Sequence, residues 1–264
     1  MLKVDCELPL MGTRLSLWRE VFWPAEWFAL RSSALYEGDG VPRGHGEPVV
    51  LVPGFLASDL SLEEMHGWLE RIGYWVHSSG LGRNDDCPDV MLAKLVESVE
   101  VTALAMGRRV ALIGHSMGGT LARAAAVRRP DLISQVICLG SPVAGSRVNE
   151  LILGLAQIIG DSRQVPANKP RVHGDHFHDG TCMCELADTL EATLAPEVSL
   201  ASIFSKTDGV VDWRTSQEQP PAANVEVKAT HLGLVVNAEA YRAIAWLLAS
   251  GARETNATAR PAAV

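Results

Sequence analysis

Three side chains in this sequence have the types and the chain order that nucleophilic catalysis by a serine requires. Ser116 lies in a Gly-x-Ser-x-Gly motif at residues 114–118, Asp208 follows it, and His231 comes last. A serine hydroxyl is a poor nucleophile at neutral pH, so a neutral imidazole must take its proton and a carboxylate must orient that imidazole. The order serine, acid, histidine therefore predicts acyl chemistry through a covalent serine intermediate.

The serine motif lies between a predicted strand and a predicted helix. It follows the apolar run 110–113 and precedes the helix-forming segment 120–128. A tight turn crowds its neighbours, and the two flanking glycines remove the side chains that would clash. The turn also aims the first helical N–H groups, beginning with that of Met117, at the position where negative charge develops. The pattern predicts a nucleophile elbow with Ser116 at its tip.

Two aspartates compete for the role of the acid. Asp208 comes just after the predicted strand 199–205, and Gly209 permits a turn that swings its carboxylate towards the histidine. Asp212 lies four residues further on, beside Trp213. We favour Asp208, although an ordinary Asp-Gly turn is the alternative interpretation. His231 has no such rival, because the other histidines all precede the acid.

A second donor to the oxyanion is expected from the loop after the apolar run 48–52. Gly54 at the end of this strand allows a close backbone approach and leaves the N–H of Phe55 free to point into the cleft. An ordinary strand-ending turn is the alternative. With the elbow in place, the Phe55 and Met117 N–H groups are predicted to form the oxyanion hole.

Hydrophobic residues beside these elements are predicted to bind the substrate. Residues 146–196 interrupt the alternation of predicted strands and helices and form an insertion that begins with an apolar helix at 148–159. An enzyme of this architecture places a lid or the walls of its substrate pocket in such an insertion. We expect a hydrophobic acyl or alcohol group and no cofactor. The predicted substrate-binding residues are Leu56, Val143, Leu151, Leu155 and Leu232.

The order of elements predicts the fold. Short apolar runs alternate with helical segments through short loops, which favours an α/β protein with a mostly parallel central sheet of about six strands and helices on both faces. The expected strands are 48–52, 74–77, 110–113, 135–139, 199–205 and 224–228, and the expected helices are 60–71, 90–106, 120–128 and 238–249. We expect a single domain over residues 1–250 and a disordered tail at 251–264.

The amino-terminal segment 1–36 is rich in large aromatic side chains. Their spacing between residues 13 and 36 predicts two short helices, the second opened by Pro24. The favoured interpretation is that the aromatics pack these helices onto the domain. An acyl-chain groove, a peripheral membrane contact or a dimer contact is the alternative.

The composition of the chain limits the classes of partner that we expect. The 264 residues are 47% hydrophobic and carry a formal charge of −8 without any basic run, which argues against nucleic acid. The amino terminus lacks the pattern of a signal peptide and no segment suits a spanning helix, so we expect a cytoplasmic location. Five irregularly spaced cysteines do not suggest a secreted disulfide framework.

A cluster of histidine, aspartate and cysteine between His173 and Cys184 contains possible zinc ligands. The single-residue gap between Cys182 and Cys184 is tighter than the usual spacing of zinc ligands. We favour a polar surface loop and expect no metal. A structural metal or a redox-active link between Cys182 and Cys184 is the alternative.

Four motifs resemble those of the α/β-hydrolase superfamily, and within it those of bacterial esterases and lipases. They lie at residues 52–55, 114–118, 208–211 and 231–233. Pro53 departs from the lipase pattern, which usually has histidine there. The resemblance implies a serine hydrolase acting on carboxylic esters. Acyltransferases and thioesterases use the same residues and remain the alternative, and a non-catalytic binding member is the least favoured.

Overall fold

The computed structural model of the protein describes residues 17–143, 184–219 and 222–258. Its centre is one sheet in which every neighbouring pair of strands is parallel. In chain order the strands are β1 (Pro48–Val52), β2 (Trp75–Ser78), β3 (Val110–His115), β4 (Ile133–Leu139), β5 (Ser199–Phe204) and β6 (Ala223–Glu226). They lie side by side in the order β2-β1-β3-β4-β5-β6. The predicted parallel sheet of about six strands is confirmed.

Helices cover both faces of this sheet. They are α1 (Trp23–Arg31), α2 (Glu63–Arg71), α3 (Pro88–Met106), α4 (Met117–Arg128), α5 (Cys184–Glu191) and α6 (Ala238–Thr258). Short 3₁₀ helices occur at Leu17–Phe22, Ala34–Glu37, Asp59–Leu62, Trp213–Ser216 and Gly233–Val235.

Strand β1 shows why its continuous apolar sequence belongs at the centre. Successive side chains of a strand point to opposite faces. Val49 and Leu51 join a core that contains Trp68 of α2 and Tyr241 of α6, whereas the intervening valines join a second core formed with α3 and α4. A strand buried on both faces must be apolar at every position.

The parallel sheet brings the candidate catalytic residues to one edge, where the carboxyl ends of its strands lie. Parallel strands place their carboxyl ends together, and ligands of such sheets bind there. The loops after β1, β3, β5 and β6 carry Phe55, Ser116, Asp208 and His231 respectively. The fold therefore gathers four loops that are far apart in sequence.

The last helix is longer than expected. Helix α6 reaches Thr258, whereas the sequence predicts that this helix ends at residue 249. Gly251 does not end the helix. A Cβ at this position would lie 2.5 Å from Oε1 of Gln135, so the glycine permits close packing against β4. The following segment contains alanine, arginine and glutamate, which favour helix.

The amino-terminal helices form as expected, but their aromatic side chains are not mostly core. The 3₁₀ helix Leu17–Phe22 leads into α1, which has Pro24 in its first turn. Leu30 is buried and Trp27 is partly buried. The interpretation that the large side chains pack the segment onto the domain is wrong for most of them, because six are between 41% and 69% exposed: Leu17, Trp18, Val21, Phe22, Trp23 and Phe28.

Much of the predicted insertion 146–196, including its apolar helix at 148–159, lies outside the described residues. Its described part contains α5, whose Leu186 is buried in the core shared with α3 and α4. Among the helices that the structure describes, none has the length and apolar composition needed to cross a bilayer.

Candidate active site

Ser116 occupies a strained turn between β3 and α4. Its φ of 53° and ψ of −127° lie outside the regions favoured by residues with side chains. Its N–H donates to the carbonyl of Leu139 at the end of β4 (2.9 Å), which fixes the turn against the next strand. A Cβ on Gly114 would overlap the backbone of Gly118, and a Cβ on Gly118 would overlap Val52 O. The two flanking glycines are therefore required by close backbone packing.

Asp208 and His231 are brought together in a buried hydrogen bond. Nδ1 of His231 lies 2.7 Å from Oδ2 of Asp208, and the two side chains are only 5% and 2% exposed. The other carboxylate oxygen of Asp208 accepts the N–H groups of Val210 (2.8 Å) and Val211 (2.7 Å). Three donors thus fix the carboxylate in a single orientation towards the imidazole.

The competing acid has a different environment. Oδ1 of Asp212 accepts the N–H of Arg214 (3.1 Å), so its side chain caps the 3₁₀ helix Trp213–Ser216. The same oxygen lies 3.3 Å from the guanidinium of Arg214, whose side chain is mostly exposed. The structure pairs His231 with Asp208, and Asp212 performs a local capping role.

His115, the neighbour of Ser116 in the chain, supports the backbone of His231. Its Nε2 lies 3.0 Å from the carbonyl oxygen of His231, and the two rings are 4.7 Å apart. Because a carbonyl only accepts, Nε2 of His115 must carry the proton and donate. Burial, followed by the charge of His231, lowers the pKa of His115 to about 3. His115 is therefore a neutral structural support between the elbow and the histidine loop.

The Phe55 and Met117 N–H groups are available for an oxyanion. Within the described ranges neither donates to a protein acceptor. Met117 opens α4, where the first N–H groups have no intrahelical partner. Gly54 lies against the elbow, since a Cβ on it would be 3.2 Å from Cβ of Ser116. The loop after β1 therefore passes directly over the serine.

A polar loop that sequence reasoning missed holds the Phe55 loop in place. Nδ2 of the buried Asn84 donates to Pro53 O (2.9 Å), and the Asn84 carbonyl accepts the N–H of Leu56 (2.7 Å). Nε of Arg83 donates to Leu56 O (3.2 Å). These bonds fix Leu56 at a φ of 61°, a conformation that is strained for a residue with a side chain. In sequence, Arg83 and Asn84 are two polar residues of a polar loop, and nothing there indicates that they hold the Phe55 loop.

Gly140 is a second residue that the sequence did not reveal. It follows β4 at a φ of 54° and packs against the buried acid–histidine pair. A Cβ here would lie 3.1 Å from Oδ2 of Asp208, 3.3 Å from Nδ1 of His231 and 2.5 Å from Leu234. Only glycine leaves room for the pair at this position.

The predicted substrate-binding residues fall into three groups. Leu56 and Leu232 are partly exposed beside the Phe55 loop and His231. Val143 is buried in the core that includes Met117, and its N–H donates to Thr215 O. Leu151 and Leu155 lie outside the described residues.

The histidine and cysteine cluster at 173–184 also falls almost wholly outside the described part of the chain. Cys138 is a free cysteine in the core, where burial raises the pKa of its thiol, and Cys87 is disulfide-bonded.

Comparison with known proteins agrees with this architecture. A family model described as a PGAP1-like alpha/beta domain matches residues 92–211. A triacylglycerol lipase of Vibrio cholerae is 32% identical over 126 residues, which make up 45% of this chain but only 39% of that lipase. A metagenomic carboxyl esterase has a TM-score of 0.58 at 20% identity, covering 93% of this chain and 92% of its own. The mature lipase of Bacillus licheniformis has a TM-score of 0.57 at 18% identity, covering 80% of this chain and 96% of its own.

The parallel sheet, the elbow after β3 and the acid–histidine pair on later loops define the class of protein. The solved structures share the fold over most of their length, and the matched segment 92–211 contains the elbow and the acid loop. This chain belongs to the α/β-hydrolase superfamily.

Proposed function

We propose that this protein is a serine hydrolase that cleaves carboxylic esters. The observation that carries the proposal is the buried hydrogen bond between Asp208 and His231 (2.7 Å), on loops beside the strained turn of Ser116. An imidazole held by a carboxylate next to a serine on an elbow is the arrangement that activates a hydroxyl for acyl transfer. The named activities of the lipase and esterase relatives support the same reaction.

Acylation begins with attack of Ser116 Oγ on the ester carbonyl. Nε2 of His231 takes the serine proton, and the carboxylate of Asp208 stabilises the imidazolium through Nδ1. The N–H groups of Phe55 and Met117 donate to the oxygen that becomes negative; losing one such donor typically costs about 3 kcal/mol of barrier. When the tetrahedral intermediate collapses, His231 returns the proton to the leaving alcohol and Ser116 retains the acyl group.

Deacylation repeats the same steps with water as the nucleophile. Nε2 of His231 takes a proton from the water, the hydroxyl attacks the acyl carbonyl, and the proton returns to Oγ of Ser116. Attack by an alcohol or a thiol would give acyl transfer by the same route. The acceptor therefore decides between hydrolysis and transfer.

A hydrophobic ester is the substrate that we propose. Leu56 and Leu232 are 38% and 47% exposed and lie beside the oxyanion loop and the histidine. Apolar side chains at these positions would contact the acyl or alcohol group on either side of the scissile bond. The Vibrio cholerae relative is a triacylglycerol lipase, which points to the same substrate class.

A series of nitrophenyl esters of increasing acyl length, assayed with wild type and Ser116→Ala, tests the proposal. We expect hydrolysis by wild type, loss of at least about 10³-fold in Ser116→Ala, and higher kcat/KM for medium or long chains than for acetate. A strict preference for short, charged esters would overturn the substrate assignment. Hydrolysis that Ser116→Ala retains would overturn the mechanism. Added alcohols with product analysis measure transfer in the same assay.

A further inference from the structure

One carboxylate from the amino-terminal segment bridges the two loops that carry the acid and the histidine. Oε1 of Glu20 accepts the N–H groups of Gly209 and His231, both at 3.0 Å. Its Oε2 accepts the N–H of Leu232 at 2.8 Å. Glu20 lies in the 3₁₀ helix Leu17–Phe22, 189 residues before Gly209 in the chain.

The partners of Glu20 are immediately adjacent to the reacting groups. Gly209 follows Asp208, whose carboxylate holds the imidazole, and the second partner is the backbone of His231 itself. A single oxygen therefore fixes the distance between the backbones of the acid loop and the histidine loop. Backbone N–H groups need an acceptor when they are removed from water, and hydrogen bonds to a charged oxygen are stronger than those to a neutral one.

A second carboxylate on the same segment extends the bridge. Oε1 of Glu26 in α1 accepts the N–H of Thr230, and its Oε2 accepts Nδ2 of Asn237, both at 2.8 Å. A Cβ at Gly233 would overlap this carboxylate, so the histidine loop packs tightly around it. The segment thus contacts the loop on both sides of His231.

We propose that Glu20 is a positioning residue that sets the alignment of His231 with Asp208 and Ser116. The inference rests on the proposed function. Displacement of a reacting group by about 1 Å can cost about 10²-fold in rate, and Glu20 bonds the backbone of the histidine directly. The role of the amino-terminal segment is therefore to complete the active site, in addition to covering α2 and α6.

The chain offers a matched control for simple loss of docking. Glu64 of α2 also accepts three donors from the amino-terminal region: Nε1 of Trp27 (2.6 Å), the hydroxyl of Tyr36 (2.6 Å) and the guanidinium of Arg31 (3.4 Å). None of these three donors belongs to the acid or histidine loop. Removing Glu64 loosens the same segment without removing a contact to those loops.

The test compares Glu20→Ala, Glu20→Gln and Glu64→Ala in the full chain, assayed for kcat, KM and thermal midpoint. We expect Glu20→Ala to lower kcat by about 30- to 100-fold while KM changes by less than about threefold, because the bond lost at Leu232 is to its backbone N–H and the substrate-contacting side chains themselves are unchanged. Glu20→Gln keeps one oxygen for the N–H groups of Gly209 and His231 but places its NH₂ against the N–H of Leu232, so it should recover only part of the lost kcat. Glu64→Ala should lower the thermal midpoint at least as much as Glu20→Ala but keep kcat within about threefold.

A spectroscopic readout reports on the alignment itself. The proton between His231 Nδ1 and Asp208 should give a downfield resonance in the proton NMR spectrum of wild type and Glu64→Ala, and it should be shifted or lost in Glu20→Ala. Equal kcat losses in Glu64→Ala and Glu20→Ala, or an unchanged kcat in Glu20→Ala, would overturn the role of Glu20. A wild type without Ser116-dependent hydrolysis would instead refute the proposed function, so the two failures are distinguishable.

Discussion

Replacing Asp208 by asparagine should damage catalysis through the proton on His231. Oδ1 of Asp208 accepts two backbone N–H groups, from Val210 and Val211, while Oδ2 faces Nδ1 of His231. An asparagine oxygen will stay with the two N–H groups, because turning the amide round would place its NH₂ against both donors. The NH₂ then faces Nδ1, which must accept, and the proton of the neutral ring moves to Nε2.

A ring protonated at Nε2 cannot take the proton of Ser116, so the expected loss is large. Fixing the wrong tautomer in a serine triad costs about 10⁴-fold in kcat, which corresponds to about 5.5 kcal/mol of barrier at about 1.4 kcal/mol per tenfold. We expect Asp208→Asn to lower kcat by 10³- to 10⁴-fold, with a small change in KM. Steady-state hydrolysis of a nitrophenyl ester at saturation measures this loss.

Asp212→Asn is the matched control. An asparagine oxygen can still cap the N–H of Arg214, and the exposed ion pair with the Arg214 guanidinium contributes no more than about 1 kcal/mol. We expect kcat within about threefold of wild type. If Asp212→Asn lost activity by 10³-fold while Asp208→Asn kept it, the assignment of the acid would be refuted. Thermal midpoints of both variants establish that the fold is retained.

Three further substitutions test separate parts of the site. Gly140→Ala places a Cβ 3.1 Å from Oδ2 of Asp208 at a φ of 54°, so we expect at least a tenfold loss of kcat and a lower thermal midpoint; wild-type values for both would contradict the packing argument. Asn84→Ala removes a bond to the loop that carries Phe55 and should lower kcat by about tenfold, the scale of one neutral hydrogen bond, with KM affected less; an effect on KM alone would argue against a role in the oxyanion hole. His115 has a pKa of about 3 when folded and about 6.5 when unfolded. Between these values the unfolded chain binds one more proton, so the free energy of unfolding falls as pH is lowered from 6.5, by up to about 1.4 kcal/mol per unit. The free energy of unfolding, measured with urea between pH 6.5 and 4.5, should fall less steeply with decreasing pH in His115→Gln than in wild type. An equally steep fall in both proteins would refute the neutral buried state of His115.

The strands of the sheet and the chain order of the candidate catalytic residues could be predicted from local sequence patterns. Strand β1 is apolar at every position because it is buried on both faces, and such runs can be recognised without a structure. The chain order of Ser116, Asp208 and His231 could likewise be predicted, because each follows a predicted strand. The structure then brings the latter two within hydrogen-bonding distance.

Features that depend on three-dimensional proximity could not be predicted in this way. Glu20 contacts backbone N–H groups 189 and 211 residues away, and a backbone donor has no sequence signature. Gly140 is required because of the buried pair behind it, yet in sequence it resembles any glycine that ends a strand. In sequence, Gly251 resembles a glycine that ends a helix. Only its packing against Gln135 shows why α6 continues past it.

Covalent labelling by an alkyl fluorophosphonate tests the central claim most directly, because the reagent requires a serine that a neighbouring imidazole activates. Mass spectrometry of the labelled protein should show a single adduct on Ser116 in wild type and none in Ser116→Ala. Labelling should be at least about 10²-fold slower in His231→Ala, since the general base is missing. A wild-type protein that hydrolyses esters but acquires no adduct on Ser116, or acquires it equally fast without His231, would contradict the account.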